Sequence, residues 1–246
     1  MCGNTSSMVA PFVINATAKQ TATVIFLHGL GDTGYAHLMT VFLTYSINDI
    51  TSHKFRFEIG RARFHSHTLQ LTDYLNKPES PVTLNGGAVM PSWFDLISLS
   101  LSGPEDEKGI KASTNHVRDL ISAELNNDIA SNRIIIGGFS QGGAIALNTA
   151  LTYEKKLGGI IGLSTFLVNR NSIQQEINVN KDCPIFQGHG DCDPLVNLRF
   201  GLMTKQILSS FNPNVNFVTY PGMMHSSCPQ EMEDVKKFID ERLPNQ

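Results

Sequence analysis

The sequence predicts an α/β fold with a mostly parallel central sheet and helices on both faces. Three observations carry that expectation. Charge-free, β-branched runs such as Ile134-Ile135-Ile136 and Ile160-Ile161 have the character of strands buried on both sides. They alternate with amphipathic or apolar helical stretches, the rhythm of βαβ units. With 246 residues and a net charge of −3, the chain is long enough for one large core and gives no electrostatic reason to bind nucleic acid. We read residues 1–246 as a single domain without internal repeat or linker.

In chain order, Met8–Ile14 is apolar, but no Lys or Arg precedes it and Pro11 interrupts it, unlike a secretory signal. No apolar run approaches a membrane span. Cys2, Cys183, Cys192 and Cys228 are scattered, which argues against a zinc site or disulfide framework and suits a cytoplasmic protein. Cys2 is either an acceptor for a reversible acyl chain or a plain exposed thiol. Thr21–Leu27 reads as a buried strand running into the glycine-rich loop His28–Gly34. Glycines there let backbone N–H groups approach a developing oxyanion, though a plain βα turn has the same composition. His28, at a strand end, reads as a buried structural histidine.

Tyr35–Ile50 has helical spacing, and Phe55–Ile59 alternates like a strand. His53, His65 and His67 lack an acidic or cysteine partner to complete a metal shell, so they read as loop residues; no metal or cofactor is expected. Pro78–Pro91, punctuated by Pro81, Gly86 and Gly87, reads as loop. Ser92–Leu101 fits a core strand or an apolar loop or lid, and its abrupt end at Gly103-Pro104 favours the loop. Lys108–Ala130 is an amphipathic helix with Ile110, Val117, Leu120, Ile121 and Leu125 on one stripe. Leu157–Ser164, Pro184–Gly190 and Val215–Tyr220 are further strands. In the closing helix Pro229–Leu243, Met232, Val235, Phe238 and Ile239 should face inward. Glu231, Glu233 and Asp234 lie where acidic residues suit the helix dipole.

The chemistry centres on Ile134–Leu151. A strand-like isoleucine run meets an Ala- and Leu-rich helix across Gly138-Phe139-Ser140-Gln141-Gly142, the G-x-S-x-G pattern of a nucleophile elbow. A serine hydroxyl needs a base to take its proton and a carboxylate to hold that base. On such elbows the order along the chain is Ser, then Asp or Glu, then His. His225 lies in a loop between the last strand and the last helix, where the base belongs. Asp191 and Asp193 both leave the preceding strand; Pro194 fixes the turn after Asp193, making it the better acid.

Five motifs in order then resemble one family. They are His28-Gly29-Leu30-Gly31-Asp32-Thr33-Gly34, Pro91-Ser92-Trp93-Phe94-Asp95, Gly137–Gly143, His189–Val196 and Gly222-Met223-Met224-His225-Ser226-Ser227. The chain is similar in these to the acyl-protein thioesterases, α/β-hydrolases of the phospholipase/carboxylesterase family that are also described as lysophospholipases. The resemblance covers Met1 to about Tyr35 and Pro81 to the end. It implies an α/β-hydrolase fold, Ser140 as nucleophile, His225 as base, Asp193 as acid, and backbone donors at Leu30 and Gln141 for the oxyanion. It further implies an acyl channel formed by the Leu96–Leu101 loop, with Trp93, Leu96, Ile97, Leu99 and Leu195 as substrate-binding residues. S-palmitoylated proteins would be the substrates, with lysophospholipids as the alternative. An acylated Cys2 would give transient membrane contact, and a weak homodimer fits the family. Three departures stand out: an unrelated stretch at 35–80, Thr165-Phe166 in place of Cys-Trp, and Val196-Asn197 in place of Val-Pro. The 35–80 stretch also motivates an alternative from another class, a weakly active acyl-binding scaffold.

Overall fold

The structure is a computed structural model describing residues 12–14, 20–32, 69–73, 79–100, 103–170, 172–177 and 179–244. Among these, strands β1 (Phe12–Ile14), β2 (Ala22–Leu27), β3 (Leu69–Asp73), β6 (Ile134–Phe139), β7 (Gly159–Leu163), β8 (Ile185–Gly190) and β9 (Val215–Tyr220) form one seven-stranded sheet. Its order is β1-β3-β2-β6-β7-β8-β9, and only the edge pair β1–β3 is antiparallel. The isoleucine runs are strands as the sequence predicts, because β-branched side chains suit a pleated surface covered on both faces.

Helices α1 (Glu107–Asn126), α2 (Ser140–Thr152) and α4 (Leu198–Ser209) pack on one face, and α5 (Pro229–Arg242) on the other. The period-two alternation of each strand divides the core accordingly. Ile134, Ile136, Ile25, Leu27, Ile160 and Ile185 join the first cluster, whereas Ile135, Val24, Phe26, Ile161 and Phe186 join Met232, Val235 and Ile239 of α5. All thirteen residues of α2 are buried, which explains why it reads apolar on every side. Asp106 starts α1 by accepting the Gly109 N–H at 2.9 Å, and Asn197 starts α4 by accepting from Arg199 at 3.1 Å. A single turn, α3 (Ile173–Glu176), completes the helices among the described residues.

Three elements depart from the reading of the chain. Pro78–Pro91 is a β-hairpin, β4 (Glu79–Val82) paired with β5 (Ala88–Pro91), rather than a loop. A two-stranded ribbon uses the N–H groups of each strand on one side only, so Pro81 and Pro91 are tolerated. Gly86 and Gly87 close it at φ 67° and 81°, a region that disfavours other residues. Strand β3 and helix α4 lie in stretches where the residues announce neither, and Phe238 of α5 is only partly buried. The 92–100 segment has no strand, in keeping with the loop alternative. Cys2, the Tyr35–Ile50 helix, the Phe55–Ile59 strand and His53, His65 and His67 lie outside the described residues. Among the described residues, no helix is long and apolar enough to cross a membrane.

Candidate active site

Strand β6 ends at Phe139, and α2 begins at once on Ser140, whose φ of 51° is left-handed. A non-glycine residue holds that conformation only where its surroundings over-determine it. Two constraints are visible. A Cβ on Gly142 would run into the Leu27 and His28 carbonyls, and one on Gly138 would lie 2.6 Å from the Gly143 nitrogen. The elbow is therefore pressed against the end of β2 at Gly142 and folded onto its own helix at Gly138, so closely that only glycine fits at either position. The Thr165 hydroxyl also donates to the Ser140 carbonyl at 2.6 Å, tying the turn to the loop after β7.

The loops after β8 and β9 bring an acid and a base to this turn. His225 Nδ1 lies 2.7 Å from Asp193 Oδ2, and its Nε2 lies 3.0 Å from Ser140 Oγ. A carboxylate only accepts, so Nδ1 carries the proton and Nε2 presents its lone pair to the serine hydroxyl. Asp193 is 3 % exposed, and its other oxygen accepts the Leu195 and Val196 N–H groups at 2.9 and 2.8 Å. Asp191 is exposed and instead accepts the Gly222 N–H at 2.6 Å, bracing the loop that carries His225. Gly190 lets the two loops touch, since a Cβ there would strike the Met223 carbonyl. The Phe139 ring packs on the His225 imidazole with centroids 4.7 Å apart.

A second histidine stands behind the acid. His189 donates from Nε2 to the Val196 carbonyl at 2.7 Å and lies 3.6 Å from Asp193 Oδ2. Burial holds its pKa below the usual histidine value, against the upward pull of the Val196 bond and the Asp193 carboxylate. A neutral ring here adds no charge beside the acid while still fixing its turn. His28 is fully buried, with Nδ1 donating to the Gly29 carbonyl at 2.8 Å.

The His28-Gly29-Leu30 turn passes beside Ser140: a Cβ on Gly29 would sit 3.6 Å from Ser140 Cβ. The Gln141 N–H is one of the first four of α2, which a helix leaves without an internal partner and which carry its positive dipole end. Trp93 and Leu96 are buried, and Ile97 and Leu99 are half-buried along the adjoining segment. Leu195 is 65 % exposed beside Asp193, and Met224 is 56 % exposed beside His225. Side chains to which the sequence assigns no role complete the surroundings: His189, Thr165, Ser92 and Ser113. His189 adjoins the acid loop in sequence, whereas Thr165 and Ser113 act on partners 20 or more residues away and Ser92 reaches Gln141 from a distant part of the chain.

The Phospholipase/Carboxylesterase family profile matches residues 8–66 and 68–243, nearly the whole chain. The chain belongs to the phospholipase/carboxylesterase family. The match runs through most of the 35–80 stretch as well. Among relatives of this family member, acyl-protein thioesterase 1 of Neurospora crassa is 40% identical over 244 residues, covering 95% of this chain and 92% of that protein. A Cryptococcus neoformans acyl-protein thioesterase 1 is 39% identical over 251 residues, covering 94% and 96%. Among solved structures, Zea mays acyl-protein thioesterase 2 superposes with a TM-score of 0.76 at 26% identity, over 95% of this chain and 98% of that one. Arabidopsis thaliana SOBER1 gives 0.74 at 30% identity, over 92% and 100%. The fold is that of the α/β-hydrolases, and the chain is a hydrolase.

Proposed function

We propose that this hydrolase is an acyl-protein thioesterase that removes palmitoyl groups from S-acylated cysteines through an acyl-enzyme on Ser140. The observation that carries the reading is the continuous line from Ser140 Oγ through His225 to Asp193, with spacings of 3.0 and 2.7 Å. The thioesterase relatives supply the substrate class.

In this mechanism Ser140 Oγ attacks the thioester carbonyl carbon while His225 Nε2 takes its proton. The oxyanion forms against the Leu30 and Gln141 amides, each such donor being worth about a hundred- to a thousandfold. As the tetrahedral adduct collapses, the carbon–sulfur bond breaks and the cysteine thiol leaves with the proton. Water, deprotonated by His225, then attacks the acyl-serine, and the fatty acid and Ser140 are released. A thiol with a reference pKa of about 8.5 leaves without much help from the acid, whereas an alcohol needs it. Oxygen esters, including lysophospholipids, are the second reading, favoured by the family's description.

Trp93, Leu96, Ile97, Leu99 and Leu195 take the acyl chain in this reading, and acylation of Cys2 supplies transient membrane contact, one chain alone anchoring only marginally. The test is Ser140→Ala assayed on a fluorogenic palmitoyl thioester, with fluorophosphonate labelling of both proteins. Loss of turnover by about 10⁴-fold or more is expected, together with loss of label. Residual turnover near wild type would sink the assignment, and an unlabelled wild-type protein would favour the scaffold alternative.

A further inference from the structure

The segment Pro91–Phe94 has no strand partner beyond Pro91, yet it is buried at Ser92, Trp93 and Phe94. Its backbone is satisfied by side chains from elsewhere in the fold. The Gln141 carboxamide, fully buried, accepts the Trp93 N–H at 2.9 Å through its oxygen and donates to the Phe94 carbonyl at 2.8 Å through its nitrogen. Ser92 Oγ bridges within this ring, 3.1 Å from Gln141 Nε2, and the Ser113 hydroxyl of α1 donates to the Trp93 carbonyl. Two further bonds reach the loop after β2. Trp93 Nε1–H donates to the His28 carbonyl at 2.9 Å, and the Gly31 N–H donates to the Pro91 carbonyl at 2.9 Å.

The bonds to the β2 loop fall on either side of Leu30, and three of the others fall on the side chain of Gln141 itself. One segment thus spans the two backbone amides proposed above as the oxyanion donors. The same segment continues into Leu96 and Leu99, which pack on the core cluster beneath it. Buried amide and indole groups that satisfy one another in this way hold a fixed geometry, because any displacement strands a desolvated donor or acceptor.

We propose that the Gln141 carboxamide and the Trp93 indole are positioning groups that couple occupancy of the acyl segment to the spacing of the Leu30 and Gln141 amides. This rests on the thioesterase reading above and adds a consequence for specificity. A long acyl chain that packs along Trp93–Leu99 further restrains the segment in the arrangement that sets the oxyanion donors. Its binding energy is then expressed in kcat rather than only in KM. A short chain does not reach the segment and leaves the coupling unused.

The experiment compares palmitoyl and butyryl thioesters of one fluorogenic thiol on wild type, Gln141→Leu and Trp93→Phe. Both substitutions leave the backbone amides in place. Each is expected to lower kcat on the palmitoyl thioester roughly ten- to a hundredfold, and on the butyryl thioester only about two- to threefold. KM should change less than kcat on the long chain, which a general loosening of the fold would not produce. Thermal melts identify variants that fail to fold; should Gln141→Leu fail, Trp93→Phe and the milder Ser92→Ala decide by the same criterion. Equal losses on both chain lengths, or no loss in a folded variant, overturn the coupling. Fluorophosphonate labelling separates the two levels of failure. A wild-type protein that does not label at Ser140 brings down the thioesterase reading itself, whereas normal labelling with equal losses removes only the coupling.

Discussion

The two halves of the site are built by different physics. On the acid-and-base side, Asp193 and His225 sit in loops that leave adjacent parallel strands, β8 and β9, and touch through backbone at Gly190 and Met223. Their placement follows from strand order and short turns. On the acyl side, Pro91–Leu99 leaves a hairpin and has no ladder to hold it; Gln141, Ser113, Trp93 and Asp95 tie it down by side-chain bonds across long stretches of sequence. The comparison teaches that the first half is robust in geometry and sensitive in chemistry, and the second the reverse.

The largest effect should therefore come from a chemical change on the first side. Asp193→Asn keeps shape but replaces a carboxylate that accepts three N–H groups with an amide that can accept at only one end. Either the backbone pair or His225 then faces an NH₂ group, and the base loses its tautomer. Turnover of a palmitoyl thioester should fall by about 10³- to 10⁴-fold. The melting temperature should move far less than the rate. A fall below tenfold would break the claim that this half depends on charge and tautomer.

On the second side a smaller loss with a different signature is expected from Asp95→Ala. Asp95 accepts the Thr83 N–H at 2.7 Å and the Thr83 hydroxyl at 2.6 Å, and its own N–H donates to Asp106 at 2.9 Å. It joins the hairpin, the acyl segment and the start of α1. Losing two bonds to a carboxylate should cost about 1–3 kcal/mol of stability, read by denaturant unfolding. Butyryl thioester turnover should stay within about threefold of wild type, because Asp95 makes no bond to the nucleophile, the acid or the base. A loss of rate on short chains as large as on long ones would show that the two halves are not separable.

The same contrast explains what the residues disclose. Ser140, Asp193 and His225 were legible as candidates because the elbow, the acid turn and the base loop are local patterns in a required chain order. The parallel sheet was legible in the isoleucine runs. Strand β3 was not, since Leu-Gln-Leu-Thr-Asp is half polar and becomes a strand by pairing with β1 and β2, which are distant in sequence. The hairpin β4–β5 was not, because prolines and glycines read as loop until their one-sided pairing is seen. Gln141 was legible as a neighbour of the nucleophile, but nothing local reveals that its side chain holds residues 92–94. Long-range bonds between buried polar groups leave no periodic trace in a sequence.

Glu231 gives the effect that leaves turnover least changed and depends most on solution conditions. In the sequence it sits among Glu233 and Asp234 at a helix start, where the dipole would welcome an exposed carboxylate. Its spacing argues otherwise, for Glu231, Val235 and Ile239 share one face at i, i+4 and i+8, and that face is buried. Glu231 is 0 % exposed, its carboxyl lies against Gly188 in β8, and neither oxygen has a hydrogen-bond partner among the described residues. Burial, with a lesser push from Asp234, raises its pKa from 4.5 to about 8. The folded chain therefore keeps a proton that the unfolded chain releases above its ordinary value. Glu231 contributes its full share below about 4.5, and that share is lost as pH rises toward about 8. Glu231→Gln abolishes this loss. The variant should gain on the order of 1–3 kcal/mol over wild type at pH 8 and little at pH 5, with thioester turnover at pH 7 nearly unchanged. Melts at the two pH values test it: an equal shift at both would mean that the gain is one of packing, and that the buried carboxyl is not the titrating group.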